Sequence, residues 1–268
     1  MKFLSFGGPT KAYHDAVLRI GKEASRFNLF DTIVTATEET LRSDHDFWSK
    51  HGRFIETSPK GYGYWIWKPW LIKKALASMS TGDILVYADS GCTLHVSGLP
   101  RFLEYIELVK EHGALTFQTE HLEEEWTKMD VIQALKAQAL MKTGQIHATT
   151  FLLQKTEATV DLVDTWYTLA CNYSLLDDTP SKAPNYAGIK DHRHDQSMWS
   201  ILCKQRGIYS IPDETWAFAS DKKKAQIYPI WAQRKIRQYE VIQEDGKTYL
   251  FWPLTGIKQE IATIPTST

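Results

Sequence analysis

The chain has 268 residues, a length that suits one large domain or one domain with a small appendage. Hydrophobic residues make up 43% and charged residues 24%, which is the composition of a globular protein able to bury a sizeable core. The 31 basic and 32 acidic side chains give a net charge of −1, a balance that lacks the basic excess typical of nucleic-acid-binding proteins.

Targeting signals and cysteines narrow the class of protein further. The apolar run after Met1 is broken at Pro9, too soon for a secretory signal, and no apolar run approaches the ~20 residues that span a bilayer. Cys92, Cys171 and Cys203 fit neither a disulfide framework nor a zinc motif. We therefore expect a cytoplasmic protein with reduced thiols, no transmembrane segment and, at most, peripheral contact with a membrane.

The first half of the chain alternates strand and helix patterns. Strands are predicted over 2–6, 29–36, 83–88 and 114–118, and helices over 13–27, 38–50, 69–79 and 100–111. Strands followed by helices at this spacing are typical of a parallel sheet with crossover helices. The sequence therefore predicts an α/β fold with one Rossmann-type domain, in which helices flank a mostly parallel central sheet.

The second half continues the pattern around one long loop. Helices are predicted over 128–141, 157–171 and 194–206, strands over 146–153 and 207–211, and a hairpin near Asp245 and Gly246. Between them, residues 174–191 are polar and contain prolines and a glycine. A loop of this length inside a compact domain is usually functional or mobile, although it can also be a surface excursion without a role.

The strand over 83–88 ends at Asp89, which Ser90 and Gly91 follow. In open α/β sheets, ligands bind beyond the carboxyl ends of the strands. A carboxylate there can hold a divalent ion that in turn holds a diphosphate, and a small residue lets a ligand approach the backbone. The alternative is an aspartate that only caps a turn.

An aromatic cluster lies between Gly61 and Trp70, where five aromatic residues surround Lys68. Rings beside a glycine-bearing turn can stack on a base or a sugar, and Lys68 can meet a phosphate. The alternative is a hydrophobic staple between a helix and the sheet. Trp67 and Trp70 share one helix face, so we expect one of them in the core.

A polar cluster, His192-Arg193-His194-Asp195-Gln196, precedes an apolar helix. Asp195 can cap that helix, or it can be a general base that takes a proton from an acceptor hydroxyl. The neighbouring basic residues and the helix N-terminus predict an ionised Asp195 with a low pKa. The two histidines are also a potential metal pair, but no further ligands stand out.

A fourth segment, 123–130, begins with three glutamates and continues to Lys128 and Asp130 at a helix start. Such an acidic run is most often a solvated face. Glycine-rich dinucleotide and phosphate-loop motifs and the Gly-x-Ser-x-Gly elbow are absent from the sequence, which weakens the dehydrogenase, kinase and α/β-hydrolase hypotheses.

Taken in order, segments 61–69, 82–92, 126–130 and 192–197 resemble those of bacterial and viral polysaccharide glycosyltransferases with the GT-A nucleotide-sugar fold. The resemblance implies a GT-A-like catalytic domain over 1–215 with a C-terminal extension, 216–268, packed on it. It implies an enzyme of hexosyl- or deoxyhexosyl-transferase type. Such an enzyme moves a sugar from a nucleotide-diphosphate sugar to a saccharide or glycan acceptor, in surface polysaccharide or glycan synthesis.

The resemblance also implies site residues. The residues expected to contact the nucleotide sugar are Phe6, Gly7, Thr10, Tyr13, Trp67, Lys68, Asp89, Ser90, Gly91 and Lys128. His194, Asp195 and Gln196 are expected near the reacting sugar. Asp89 takes the place of the Asp-x-Asp motif that binds Mn²⁺ or Mg²⁺ in such enzymes, but the second acid is missing here. Strong metal dependence is therefore not implied.

The stereochemistry and the class of function stay open at this point. A base at Asp195 would give inversion, whereas Gln196 facing the sugar would favour retention. A catalytically inactive sugar- or nucleotide-binding module is one alternative. A sugar nucleotidyltransferase is another, although Gly7 to Lys11 is a poor version of the glycine-rich basic loop that such an enzyme usually carries.

Overall fold

The structure is a computed structural model that describes residues 1–236, 240–244, 247–252 and 257–261. The first elements are β1 (Lys2–Phe6), α1 (Lys11–Ser25), β2 (Thr32–Ala36), α2 (Glu38–Ser43), α3 (His45–Thr57), α4 (Gly61–Tyr64), α5 (Trp67–Ala77), β3 (Ile84–Ala88), β4 (Thr93–Leu94) and α6 (Leu99–His112). They are followed by β5 (Ala114–Leu122), α7 (Glu123–Trp126), α8 (Met129–Ala134), β6 (Gly144–Ile146), β7 (Thr150–Gln154), α9 (Glu157–Ala170), α10 (Tyr173–Leu176), α11 (His194–Gln205), β8 (Ser210–Pro212), α12 (Lys222–Ala225), β9 (Ile230–Trp231), β10 (Glu240–Glu244), β11 (Lys247–Trp252) and β12 (Ile257–Ile261).

The central sheet has seven strands in the order β2-β1-β3-β7-β5-β6, with β8 beside β5. β1 is parallel to both β2 and β3, and β5 is parallel to β8. β7 is antiparallel to both β3 and β5, and β6 is antiparallel to β5. Five strands therefore point one way and two the other, which confirms the predicted α/β fold with a mostly parallel sheet.

Two hydrophobic clusters cover the two faces of this sheet. Helices α1 and α6 contribute to one cluster, and α5, α9 and α11 contribute to the other. Consecutive residues of one strand belong to opposite clusters, as Phe3 and Leu4 do in β1 and Val86 and Tyr87 do in β3. This alternation follows from the two-residue period of a strand, and it directs Tyr87 to the face that α5 and α11 cover.

Two predicted helices are shorter than the sequence pattern indicates. The helix predicted over 38–50 is divided into α2 and α3 because the carboxylate of Asp44 accepts a hydrogen bond from Phe47 N at 3.2 Å and starts a new helix. The helix predicted over 128–141 ends at Ala134. Lys136 adopts φ +50°, a left-handed conformation typical of helix ends, and a 3₁₀ turn follows at Gln138–Leu140.

The strand predicted over 146–153 is interrupted. β6 and β7 both pair with β5, through Gln118 with Ile146 and Leu115 with Leu152, whereas residues 147–149 belong to neither strand. Such interruptions redirect backbone groups out of a ladder. The strands predicted over 29–36 and 207–211 begin later than expected. β2 begins at Thr32, and β8 covers Ser210–Pro212.

The C-terminal part returns to the central domain through β9. This strand pairs with β4, and the guanidinium of Arg19 on α1 donates to Lys235 O at 3.1 Å. Strands β10, β11 and β12 form an antiparallel sheet. The turn of the predicted hairpin, Asp245 and Gly246, lies outside the described residues, and the division of the chain at residue 215 stays a prediction. Within the described ranges, helices long and apolar enough to cross a bilayer are absent.

Candidate active site

Three of the sequence motifs meet at one edge of the central sheet, namely the aromatic segment with Lys68, the turn at Asp89 and the polar cluster with Asp195. β1 and β3 are parallel neighbours, so their carboxyl ends, which lead to Gly7 and Asp89, lie at the same edge. Asp89 N donates to Thr149 O at 2.8 Å, which joins the turn after β3 to the interruption at 147–149. Ligands bind at this kind of edge in open α/β sheets.

The ammonium group of Lys68 lies between two carboxylates. Its Nζ atom is 3.2 Å from Asp89 Oδ1 and 3.2 Å from Asp195 Oδ2, and it donates to Ala148 O at 3.1 Å. The contact with Ala148 O is a hydrogen bond, and the contacts with the two carboxylates are ion pairs. The side chains of Lys68 and Asp195 are only 4% and 6% exposed, whereas that of Asp89 is 32% exposed. Asp89 is therefore the acid of this cluster that a ligand can reach.

Asp195 is the acid with the perturbed pKa. Burial raises its pKa to about 6, against the opposing attraction of Lys68, and the charge of Asp89 raises it further. The low pKa expected from the sequence is therefore wrong. His192 and His194 do not supply the expected positive charge, because burial lowers the pKa of both rings and favours their neutral form.

The side chain of Asp195 is turned into the domain. Helix α11 has its cap position at Arg193, so the interpretation of Asp195 as the helix cap is wrong. Its main-chain oxygen accepts a hydrogen bond from Trp166 Nε1 at 3.0 Å. Asp195 Oδ2 is within ion-pair distance of Lys68, yet among the described residues it has no aligned hydrogen bond. A buried acceptor without a hydrogen bond is destabilising, so binding of a proton or a donor to it is favourable.

Tyr87 is a site residue that the sequence analysis missed. Its hydroxyl donates to Asp89 Oδ1 at 2.5 Å, so this carboxylate oxygen is shared by Tyr87 and Lys68. Burial, followed by the charge of Asp89, raises the pKa of Tyr87 well above its ordinary value and keeps the hydroxyl protonated. The spacing of Tyr87 and Asp89 could have indicated this contact, because residues two apart on a strand face the same side.

Gln196 has both ends of its amide in use. Ala148 N donates to its Oε1 atom at 3.3 Å, and its Nε2 atom donates to Gln145 Oε1 at 2.8 Å. Gln145 Nε2 in turn donates to Glu123 Oε2 at 3.0 Å. Gln196 therefore joins the backbone at the interruption to a buried polar network.

Glu123 closes this network and is fully buried. Lys204 Nζ lies 2.7 Å from its Oε1 atom, which also accepts a hydrogen bond from Ser200. Thr127 Oγ1 donates to its other oxygen at 2.9 Å. The expectation of a solvated acidic run is wrong for Glu123, because α11 brings Lys204 and Ser200 against the start of α7.

The predicted nucleotide end of the site begins with a stacked aromatic pair. The rings of Phe6 and Trp67 are 4.0 Å apart at 27°, and Trp67 Nε1 donates to Gly61 O at 3.0 Å. Trp67 and Trp70 are both buried, so the core holds not only the one expected tryptophan but both.

The backbone after β1 is tightly packed. A Cβ atom at Gly7 would lie 2.2 Å from Tyr13 O, which explains the glycine. The side chain of Tyr13 is 37% exposed, and the exposed Thr10 precedes α1. Of the predicted nucleotide contacts in this region, these two are therefore open to a ligand.

Glu38 and His14 form a pair at this edge that the sequence analysis also missed. Glu38 follows β2, its carboxylate lies 2.7 Å from His14 Nε2, and a Cβ atom at Gly8 would lie 2.3 Å from its Oε2 atom. An acid beyond the second strand binds ribose hydroxyls in dinucleotide-binding α/β folds. The available signal was an acid two residues after the strand predicted over 29–36.

The aromatic segment forms a left-handed turn. Gly61, Gly63 and the three aromatic residues that alternate with or follow them all have positive φ, namely Tyr62, Tyr64 and Trp65. For residues with a side chain this conformation costs about 1–2 kcal/mol each, so the surrounding packing must hold it. The ring of Trp65 stacks on His194 at 5.4 Å, which brings this turn against the start of α11.

Lys128 and His194 are directed to the loop that follows α10. Lys128 Nζ donates to Asp177 O at 2.7 Å and to Thr179 O at 3.2 Å, and burial lowers its pKa. His194 Nδ1 donates to Leu176 O at 2.8 Å. Both side chains therefore hold the loop in place, and the structure does not bring them to the carboxylate of Asp89.

A divalent ion would have one carboxylate ligand at this edge. Groups of three or more His, Cys, Asp or Glu side chains able to hold a metal are absent from the described part of the chain. Asp89 Oδ1 is shared by Tyr87 and Lys68, which leaves Oδ2. Mg²⁺ can bind through a single carboxylate when substrate phosphates and water supply the other ligands. The residues therefore fit an ion held mainly by the donor, and they do not fit an all-protein site.

Comparisons with known proteins found no matching family profile and no matching curated protein. Among solved structures, the chain is similar to a glycosyltransferase involved in the glycosylation of the major capsid of PBCV-1, with 10% identity, a TM-score of 0.48 and coverage of 86% of this chain and 90% of that one. It is also similar to mouse xyloside xylosyltransferase 1 in its apo form, with 12% identity, a TM-score of 0.46 and coverage of 87% and 97%. Both of those proteins are glycosyltransferases, and at these identities and TM-scores the similarity carries no conclusion about the activity of this chain.

Proposed function

We propose that the chain is a glycosyltransferase that moves a sugar from a nucleoside-diphosphate sugar to a hydroxyl of a saccharide acceptor. The cluster of Lys68, Asp89 and Asp195 carries this proposal. It places a reachable carboxylate and a buried acid with a pKa of about 6 at the edge of the sheet where ligands bind. A general base with a pKa near the working pH is suited to removing a proton from a hydroxyl.

The proposed reaction is a direct displacement with inversion. The acceptor oxygen forms a bond to the anomeric carbon while the bond from that carbon to the diphosphate oxygen breaks. The hydroxyl proton passes to the carboxylate of Asp195, and the nucleoside diphosphate leaves with the bonding electron pair. Because the Asp195 side chain is 6% exposed, the acceptor hydroxyl has to enter the space beside Lys68 before the proton can pass.

Lys68 holds the two acids in place for this step. Burial disfavours its charge, but Asp195 and Asp89 outweigh that effect and raise its pKa, so the ammonium stays protonated. A divalent ion on Asp89 would neutralise charge on the leaving diphosphate. The requirement for Mn²⁺ or Mg²⁺ is part of the proposal.

Nucleoside-diphosphate release from a panel of radiolabelled sugar nucleotides tests the function. Asp89→Asn should abolish release and weaken nucleotide binding in the presence of Mn²⁺. Asp161→Asn is the matched control, because Asp161 is an exposed acid on α9 that pairs with Arg206. Release that both variants retain would refute the role of Asp89.

The same assay separates the competing functions. Binding of a sugar nucleotide without any release would indicate a binding module. Consumption of a nucleoside triphosphate with release of pyrophosphate would indicate a nucleotidyltransferase. Either result would replace the proposed function.

A further inference from the structure

Two arginines belong to segments that lead to the Lys68 cluster, one beside the turn after Asp89 and one just before Asp195. Arg234 belongs to the segment after β9, and Arg193 is the residue before α11. Within the described part of the chain, no carboxylate lies within ion-pair distance of Arg193, and none lies within that distance of Arg234.

The backbone of Arg234 is held against this turn. A Cβ atom added at Gly91 would lie 3.3 Å from the Cα atom of Arg234, and Lys235 N donates to Gly91 O at 2.7 Å. The guanidinium of Arg19 donates to Ser90 O at 2.7 Å and to Lys235 O at 3.1 Å, so it joins the two segments. Arg234 itself is exposed, and its backbone lies against Gly91, two residues after Asp89.

Arg193 belongs to the segment that leads into Asp195. It lies two residues before Asp195, and its main-chain N–H donates to Trp126 O at 3.0 Å. Its guanidinium lies 4.0 Å from the centroid of the Trp126 ring. Stacking on an indole holds the planar group in one orientation and leaves its edge donors free for an anion.

The charge of Arg234 acts on the guanidinium of Arg193. Burial lowers the pKa of Arg193, and the charge of Arg234 lowers it further, while Asp191 offsets only part of this effect. Two like charges brought together at a surface create a positive potential that an anion neutralises. The arrangement therefore favours binding of a negatively charged group between them.

The nearby lysines already have other partners. Lys68 donates to Ala148 O and forms ion pairs with Asp89 and Asp195. Lys128 donates to loop carbonyl groups, and Lys60 pairs with Asp178. A diphosphate bound at Asp89 therefore has to find its positive charge elsewhere.

We propose that Arg193 and Arg234 form an anion site that binds the diphosphate of the donor beside Asp89. Guanidinium groups bind phosphate oxygens through two parallel N–H donors, which suits two adjacent phosphates. The identification of the anion as the donor's diphosphate rests on the proposed function, whereas the anion site itself does not.

The test uses inorganic pyrophosphate as the probe and isothermal titration calorimetry on the full chain, in buffer with a chelator and without divalent ions. Arg193→Gln and Arg234→Gln should each weaken pyrophosphate binding by about tenfold or more, because each removes charge-assisted hydrogen bonds. Arg193→Lys and Arg234→Lys keep the charge and should lose less affinity. Arg26→Gln is the matched control, because Arg26 is an exposed arginine at the far end of α1, at the opposite edge of the sheet.

Three outcomes decide the proposal. Wild-type protein that does not bind pyrophosphate overturns it, as do glutamine variants that bind pyrophosphate as tightly as the control. If sugar nucleotides are cleaved with an unchanged KM in both variants, the anion site is refuted while the proposed function stands. If pyrophosphate binding depends on both arginines but no sugar nucleotide is cleaved, the anion site stands while the proposed function is refuted.

Discussion

The protein has two buried clusters in which a lysine pairs with carboxylates. The cluster around Lys204 is closed, in the sense that its lysine and its carboxylate are shielded from solvent and bond to each other. Glu123 is fully buried there, and it accepts hydrogen bonds from Ser200, Thr127 and Gln145 in addition to its ion pair with Lys204. Burial lowers the pKa of Lys204, while the attraction of Glu123 opposes this shift. All polar groups of this cluster are directed inward.

The cluster around Lys68 is left open. Asp89 extends to the surface, and Asp195 keeps a buried oxygen that lacks an aligned hydrogen bond among the described residues. Two carboxylates share one ammonium group, so the cluster has an excess negative charge when both acids are ionised. A satisfied buried ion pair specifies the fold, whereas a buried acid with a raised pKa beside an open edge is typical of a functional site.

The largest effect on stability is expected from removing the carboxylate of the closed cluster around Lys204. Glu123→Gln should lower the free energy of unfolding by about 3–5 kcal/mol, because it leaves the charge of Lys204 buried without a partner. Urea denaturation measures this change. The double variant Glu123→Gln/Lys204→Met should regain much of the loss, and a double variant no more stable than Glu123→Gln would show that the ion pair is not the cause.

Asp195→Asn should change the rate and leave the fold largely intact. We expect kcat to fall by about 10²-fold or more, because the proposed base is lost. Lys68 keeps Asp89 as a partner, so the free energy of unfolding and the affinity for nucleoside diphosphate should change little. Single-turnover kinetics measures the rate. A variant with normal turnover would exclude Asp195 as the base and make a retaining mechanism or another acid necessary.

Gln145 joins the two clusters, and its loss should have a smaller effect. Gln145→Met leaves Gln196 Nε2 without its acceptor, which should cost about 1–3 kcal/mol of unfolding free energy. The rate should fall by less than about tenfold, because the carboxylates stay in place. Gln154→Met is the control, since the side-chain amide of Gln154 donates to Gly82 O at an exposed position. Equal effects of the two substitutions would contradict a connecting role for Gln145.

The pH dependence should report on Asp195. Its pKa in the folded protein is raised to about 6, so the carboxylate becomes protonated below that pH and loses its capacity to accept a proton. We expect kcat to fall by about tenfold per pH unit below this value. The sign for stability is opposite. The raised pKa stabilises the folded protein at low pH, and this contribution is lost as the pH rises through about 6.

Asp195→Asn should remove both pH effects. The measurements are kcat between pH 5 and 8 and the free energy of unfolding over the same range, with wild-type protein as the reference. A limb near pH 6 that persists unchanged in the variant would assign the titration to a different group.

The sequence predicted the elements whose signal is local. The alternation of apolar residues in 2–6 and 83–88 and the helical spacing from Tyr13 onward correspond to β1, β3 and α1. The position of Asp89 at the end of a strand was also predictable, because a strand followed by a small-residue turn is recognisable from adjacent residues. Failures occurred where a neighbour distant in sequence decided the outcome, as at residues 148 and 149, whose main-chain groups bond to Lys68, Asp89 and Gln196.

The chain by itself therefore determined the order of strands and helices and the residue types available at the carboxyl edge. Only the tertiary structure decided the environment of each charge. Asp195 and Glu123 are both acids near a helix start, yet one has a raised pKa beside an open edge and the other is closed into a satisfied network. The reason is that desolvation and charge pairing depend on groups such as Lys68 and Lys204, which folding brings from distant parts of the chain.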